Sequence, residues 1–211
     1  MRPKAVILSG GPRSVYEHDA PALDAAILQQ GVPVLGICYG LQWMAQNLGG
    51  QVTPAQAGAE YGRTELEVVD AAGMLAGVRQ RGIVWMSHGD KVSRLPPGFA
   101  VLAKSEPCPF AVVADRQRGF YGLQFHPEVA HTVDGQRMLQ NFVREVARCT
   151  ADWDPGHIVE RKVEAVRALV GERGEVVLGL SGGVDSSVAA AIVHQAIGAR
   201  LHCVFVDNGL L

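Results

Sequence analysis

The sequence predicts an α/β chain in two unequal parts, on three observations. Short apolar runs stopped by glycine and proline alternate with helix-like segments at the start. Several strand-like runs with little helix between them fill the middle. After a polar, turn-prone stretch near residue 150, one strand–helix–strand unit follows.

Taken in order, Ala5-Val6-Ile7-Leu8 reads as a buried strand stopped by Ser9-Gly10-Gly11-Pro12, a sharp turn. Residues 20–30, rich in Ala, Leu and Gln, read as a helix punctuated by Gly31 and Pro33. Val34-Leu35-Gly36-Ile37 is a second buried strand, and Leu41 to Leu48 a helix ended by Gly49-Gly50. Residues 64–69, 83–86, 101–104, 111–115 and 120–125 are short strand candidates. From Asp134 to Cys149, Met138, Leu139, Phe142, Val143 and Val146 are spaced for one helical face. Thr150 to Gly156 marks a boundary, where Asp154 and Pro155 look like an N-cap and a first-turn proline. The next helix carries Ile158, Val159, Val163, Val166, Leu169 and Val170 as a stripe. Val176 to Leu180 is then a buried strand, Val184 to Ile197 a helix and Leu201 to Val206 another buried strand.

With 211 residues, 48% of them hydrophobic, the chain can bury a core in one large or two modest domains. A formal net charge of −2, with no basic run, gives no electrostatic footprint for nucleic acid or a membrane surface. Cys38, Cys108, Cys149 and Cys203 are far apart and form neither a zinc pattern nor a disulfide scaffold, which fits a reducing, cytoplasmic setting. Met1-Arg2-Pro3-Lys4 lacks the layout of a signal peptide, and no apolar run approaches the ~20 residues of a membrane-spanning helix.

Gly36-Ile37-Cys38-Tyr39-Gly40 places Cys38 between a buried strand and a helix. The glycines two residues either side leave room for a tight elbow, with sulfur as nucleophile. A helix N-terminus favours the thiolate. A buried, inert thiol is the alternative reading. Phe125-His126-Pro127-Glu128 follows a strand-like segment. If the chain stays extended, His126 and Glu128 point the same way, and the carboxylate can hold the imidazole in the proton-accepting tautomer. The alternative is a surface histidine beside a solvated glutamate.

Four motifs occur in sequence: Ile7 to Pro12, Gly36 to Gln42, Ser87-His88-Gly89-Asp90 and Gln124 to Glu128. Together they resemble the class I glutamine amidotransferases over roughly residues 4–148. The resemblance implies a flavodoxin-like mixed sheet with flanking helices and a triad of Cys38, His126 and Glu128. It also implies an oxyanion hole from the N–H groups of Gly11 and Tyr39, and glutamine held by Gln42, Ser87, Gly89 and Asp90.

Ser181-Gly182-Gly183-Val184-Asp185-Ser186-Ser187 follows a strand and opens a helix. Small residues let backbone N–H groups approach a phosphate, the three serines add hydroxyl donors, and Asp185 calls for a cation such as Mg²⁺. A plain turn with Asp185 and Ser186 capping the helix is the alternative. The string resembles the PP-loop of the N-type ATP pyrophosphatases, which belong to the adenine-nucleotide α-hydrolase-like folds. That resemblance implies residues 181–187 on pyrophosphate and the backbone near Val206 on adenine.

A glutaminase followed by a PP-loop resembles the glutamine-hydrolysing GMP synthetases. On that likeness, residues 1–149 are an amidotransferase domain without its opening strand, 150–156 a linker, and 157–211 the incomplete start of a pyrophosphatase domain. The expectation is a fragment lacking sequence at both ends. The implied substrates are glutamine, ATP with Mg²⁺ and XMP, the XMP site lying outside the chain. The implied dimer forms through an absent C-terminal domain. A piece that binds without catalysing is the rival reading.

Overall fold

The computed structural model describes residues 3–21, 23–54, 60–151 and 155–205, with backbone alone at 155 and 156. The chain divides into two compact units, Met1–Cys149 and Thr150–Leu211.

In the first unit a seven-stranded mixed sheet runs β1 (Val6–Leu8), β2 (Val34–Ile37), β9 (Phe120–Leu123), β8 (Val112–Asp115), β7 (Ala100–Lys104), β4 (Glu60–Val68), β5 (Arg81–His88). β2 is parallel to both β1 and β9, and the remaining pairings are antiparallel. All four residues of β2 are buried, as expected for a parallel strand covered on both faces. Alternation along the strands divides the core. Leu35, Ile37, Tyr121 and Leu123 join one cluster with Phe125, Met138 and Phe142. Val34, Val113 and Phe120 join the other with Leu41, Trp43 and Met44.

Helix α1 (Tyr39–Asn47) starts one residue after Cys38 and lies over β2. Gly36 is paired with Leu8 on one side and Gly122 on the other. A Cβ at Gly36 would lie 2.6 Å from the Leu41 nitrogen, and one at Gly40 would run into the carbonyl oxygen of Leu8. The two glycines therefore set how closely the helix sits on the strands.

Several expectations are corrected. Residues 20–30 form only a 3₁₀ turn, Ala25–Gln29, capped by the Asp24 side chain accepting from the Ala26 N–H. β3 (Gln51–Pro54) and β6 (Asp90–Arg94) make a separate antiparallel pair that the sequence did not signal. The single helix expected over 134–149 is α2 (Gly135–Asn141) followed by a wider π turn at Phe142–Val146. The strand expected to Phe125 ends at Leu123.

In the second unit, α3 (Pro155–Val170), β10 (Val176–Leu180), α4 (Val184–Ile197) and β11 (Leu201–Phe205) follow in order, with β10 and β11 parallel. Both strands were expected to be buried, yet no residue of either is fully buried, because the two-stranded sheet is not covered on both faces. Val163, Ala196 and Ile197 form its small core, joined by Val166, Val170 and Ile192. Leu169 of the expected stripe is instead 89% exposed, and Val159 is also exposed. The Asp154 cap lies outside the described residues. No helix among the described residues is long and apolar enough to cross a membrane.

Candidate active site

The carboxyl ends of β1, β2 and β9 deliver three segments to one place, as parallel strands do at their C-terminal edge. Cys38 is the N-cap of α1 and has φ 50° and ψ −106°, in the left-handed half of conformational space that a side chain rarely enters. Its backbone N–H is held by the carbonyl of Leu123 at 2.7 Å. The elbow is thus strained and pinned to the strand that leads to His126.

A cavity of about 490 Å³ is walled by Gly10, Gly11, Ser14, Cys38, Gln42 and His126, by Tyr61, and by the turn Ser87-His88-Gly89-Asp90. Cys38 is 4% exposed, and its Sγ–H donates to the Ser87 carbonyl at 3.6 Å. Burial pushes the thiol up to about 11, against the backbone N–H of Tyr39, while Glu128 and Asp90 raise it further. The Tyr39 N–H at the helix N-terminus favours the thiolate as expected, but burial acts more strongly in the opposite sense. Loss of water outweighs that end, and the sulfur holds its proton until a base takes it.

His126 Nδ1 lies 2.7 Å from Glu128 Oε1. A carboxylate only accepts, so Nδ1 carries the proton and Nε2 is left as the basic nitrogen. The two residues do not sit on an extended strand. The chain turns at Pro127 and Glu128, and the turn itself brings the side chains together. His126 is fixed through its backbone. Its N–H donates to the Trp85 carbonyl at 3.1 Å, and its carbonyl accepts from Thr132 Oγ1 at 2.6 Å. Thr132 Oγ1 in turn accepts from the Trp85 N–H, and the Trp85 ring packs on His131 with centroids 4.6 Å apart. Gly10 makes room for the imidazole, because a Cβ there would lie 2.7 Å from His126 Cε1.

The structure brings the other expected residues of this unit to the same place. Gly11 packs on the Tyr39 ring, where its Cβ would lie 3.3 Å from Tyr39 Cγ. The Tyr39 side chain turns away, its hydroxyl donating to the Pro21 carbonyl at 3.0 Å. Gln42 is buried, and its Nε2 donates to the Asp90 carbonyl at 2.8 Å. Sequence reasoning missed Thr132, Trp85, Tyr61 and Tyr16. None belongs to a periodic pattern or a spacing that points to the site. They act from neighbouring loops and strands.

His88 is buried beside Glu60, Nε2 to Oε2 3.4 Å. This contact is not an ion pair. Burial lowers His88 to about 4 and raises Glu60, so both are driven toward their neutral forms.

In the second unit Gly182 has φ 77° and Gly183 caps α4, so the chain from Ser181 to Ser187 turns tightly into the helix. Ser186 and Ser187 donate their hydroxyls to the Gly183 carbonyl at 3.1 and 2.9 Å, and the Ser181 N–H donates to Ser186 Oγ at 3.3 Å. The serines thus brace the loop. Val184 and Asp185 are exposed in the first helical turn, and no side chain caps it. Val206 lies outside the described residues.

Residues 1–146 match the family model described as glutamine amidotransferase class-I. The chain belongs to the class I glutamine amidotransferase family. Residues 158–207 match a second model, described as NAD synthase. Among curated relatives, a GMP synthase (glutamine-hydrolyzing) of Nitrobacter hamburgensis is 56% identical over 100% of this chain and 39% of its own length. Those of Bifidobacterium longum and Shewanella amazonensis are 54% and 51% identical over 99% of this chain. The chain thus spans about two fifths of the curated relatives it matches. Among solved structures, a candidate GMP synthase subunit of Thermoplasma acidophilum aligns with TM-score 0.60 and 29% identity, over 69% of this chain and 73% of that one. A Thermotoga maritima glutamine amidotransferase shares the fold, with TM-score 0.53 and 24% identity over 90% of this chain and 78% of that one.

Proposed function

We propose that this amidotransferase unit hydrolyses glutamine through Cys38, His126 and Glu128, and that it works within a GMP synthase. The observation that carries the reading is a strained cysteine elbow and a glutamate-bound histidine on the wall of one cavity.

Glutamine enters with its side-chain amide at Cys38. His126 Nε2 takes the thiol proton as sulfur attacks the amide carbon, and the Glu128 carboxylate stabilises the imidazolium. The N–H groups of Gly11 and Tyr39 receive the developing oxyanion. His126 then protonates the departing ammonia, and afterwards activates the water that releases glutamate from the thioester. Gln42, Ser87, Gly89 and Asp90 hold the amino-acid end.

In the second unit, residues 181–187 and Val206 would hold ATP. Asp185, exposed at the helix start, fits a Mg²⁺ shared with phosphate oxygens. With one carboxylate from this chain, phosphate oxygens and water would supply the remaining ligands. The bound cation would neutralise charge on the phosphates. XMP would be adenylated and then aminated to GMP by parts of the protein outside this chain. We place the enzyme in the cytoplasm, as a dimer through a C-terminal domain. The name the curated relatives carry, and their similarity along the whole of this chain, support the GMP synthase reading.

Glutamate release from glutamine, compared between the wild-type chain and Cys38→Ala, tests the proposal. Abolition in the variant is expected. Undiminished turnover would refute the nucleophile.

A further inference from the structure

The segment after β1 lines the cavity through Gly10 to Ser14 and is tied down by two tyrosine hydroxyls. At one end Tyr39 of α1 donates to the Pro21 carbonyl at 3.0 Å. In the middle Tyr16, itself on the segment, donates to Asp90 Oδ1 at 2.8 Å. Asp90 stands 74 residues away at the start of β6. Its backbone carbonyl is held by Gln42, and its residue surface is 8% exposed. Among the described residues Tyr16 alone hydrogen-bonds this carboxylate, and it does so through one oxygen. The Tyr16 hydroxyl keeps its proton more firmly than usual, chiefly because it is bonded to Asp90.

We propose that Tyr16 is a positioning residue that fixes the Asp90 carboxylate, through Oδ1, to receive the α-ammonium of the substrate amino acid. This rests on the reading above that Asp90 holds the amino-acid end of glutamine. A carboxylate on a largely buried residue, anchored through one oxygen, presents the second in a set direction. An ammonium meeting it makes a charge-assisted bond without first ordering the side chain. The same bond fastens Arg13 and Ser14, which precede Tyr16 and line the cavity. The device selects an α-amino acid over a plain amide of similar length, although Tyr16 touches neither the sulfur nor the imidazole.

The test uses the 211-residue chain and two reagents for Cys38. One is the diazoketone analogue of glutamine, 6-diazo-5-oxo-L-norleucine, which carries the α-ammonium. The other is iodoacetamide, which does not. Rates of mass gain on the Cys38 peptide are compared for wild type, Tyr16→Phe and Asp90→Asn. Tyr16→Phe should slow the analogue about tenfold with iodoacetamide changed less than about twofold, and Asp90→Asn should slow the analogue at least as much. If Asp90→Asn slows the analogue and Tyr16→Phe does not, the role of Tyr16 is overturned while that of Asp90 stands. If neither variant slows it, Asp90 does not hold the amino-acid end. Equal slowing of both reagents in Tyr16→Phe would mean the hydroxyl serves the fold alone, and overturns the proposal. Failure of the glutamine analogue to label wild-type Cys38 would contradict the nucleophile itself.

Discussion

His126 and Glu128 hold their side chains 2.7 Å apart across a turn that starts at the proline between them. The contact needs no third element, so the orientation of the ring is set within three consecutive residues. The backbone bonds to Trp85 and Thr132 then fix where that unit stands.

Replacing Glu128 by Gln removes the charge that fixes the Nδ1–H tautomer and steadies the imidazolium. Because the Glu128 side chain is 47% exposed, water replaces part of its effect. The expected loss in kcat is about a hundredfold, at the low end for an acid–base group, with the KM for glutamine within about twofold. Steady-state glutaminase kinetics check this. A KM rise at constant kcat would place Glu128 on the substrate instead.

Gly40→Ala forces a Cβ onto the carbonyl oxygen of Leu8, which is backbone and cannot swing aside. The helix must lift from β1 and β2. A loss of about 1–3 kcal/mol or more is expected, read as a lower urea midpoint. Gly31→Ala is a useful contrast. A Cβ there meets nothing within 4 Å, although its φ of 69° still strains the new residue by about 1 kcal/mol.

Acid should weaken the first unit through His88. Its folded pKa of about 4 lies below the ordinary 6.5, so between these values the unfolded chain binds more protons. The stability it contributes is complete above pH 6.5 and is lost as pH falls toward 4, by up to about 3 kcal/mol in full. Glu60 works in the opposite sense. Its raised pKa favours the folded state at low pH. Comparing the pH slope of the melting temperature in wild type and His88→Gln isolates the imidazole. The variant should show the shallower fall between pH 6.5 and pH 4. Parallel slopes would mean that the ring stays solvated.

Much of this was legible in sequence because the relevant physics is local. Gly36 and Gly40 around Cys38 announce an elbow, and the structure shows the collisions they avoid. The apolar runs of β1, β2 and β10 announce strands, but only β2 is buried throughout: Ile7 of β1 is exposed, and no residue of β10 is fully buried. The β3–β6 pair was not legible. It joins residues 51–54 to 90–94, which are mostly polar or only partly buried and carry no alternation. The 3₁₀ turn at Ala25–Gln29 reads as a longer helix, because composition alone does not show that no residue of it is fully buried. At the site, Thr132 and Tyr16 escaped notice because the Thr132 hydroxyl links His126 to Trp85 and the Tyr16 hydroxyl reaches Asp90, partners 47 and 74 residues away. The raised thiol of Cys38 was also beyond reach. Motif reading supplies the helix end that lowers it, but not the 4% exposure that overrides it.

The most direct measurement is to mix the chain with glutamine, quench in acid within the first turnover, and weigh the cysteine-containing peptides. The account predicts one glutamyl group, attached as a thioester, on the peptide carrying Cys38, and none on those carrying Cys108, Cys149 or Cys203. Glutamate formed at full rate with Cys38 never acylated would contradict it.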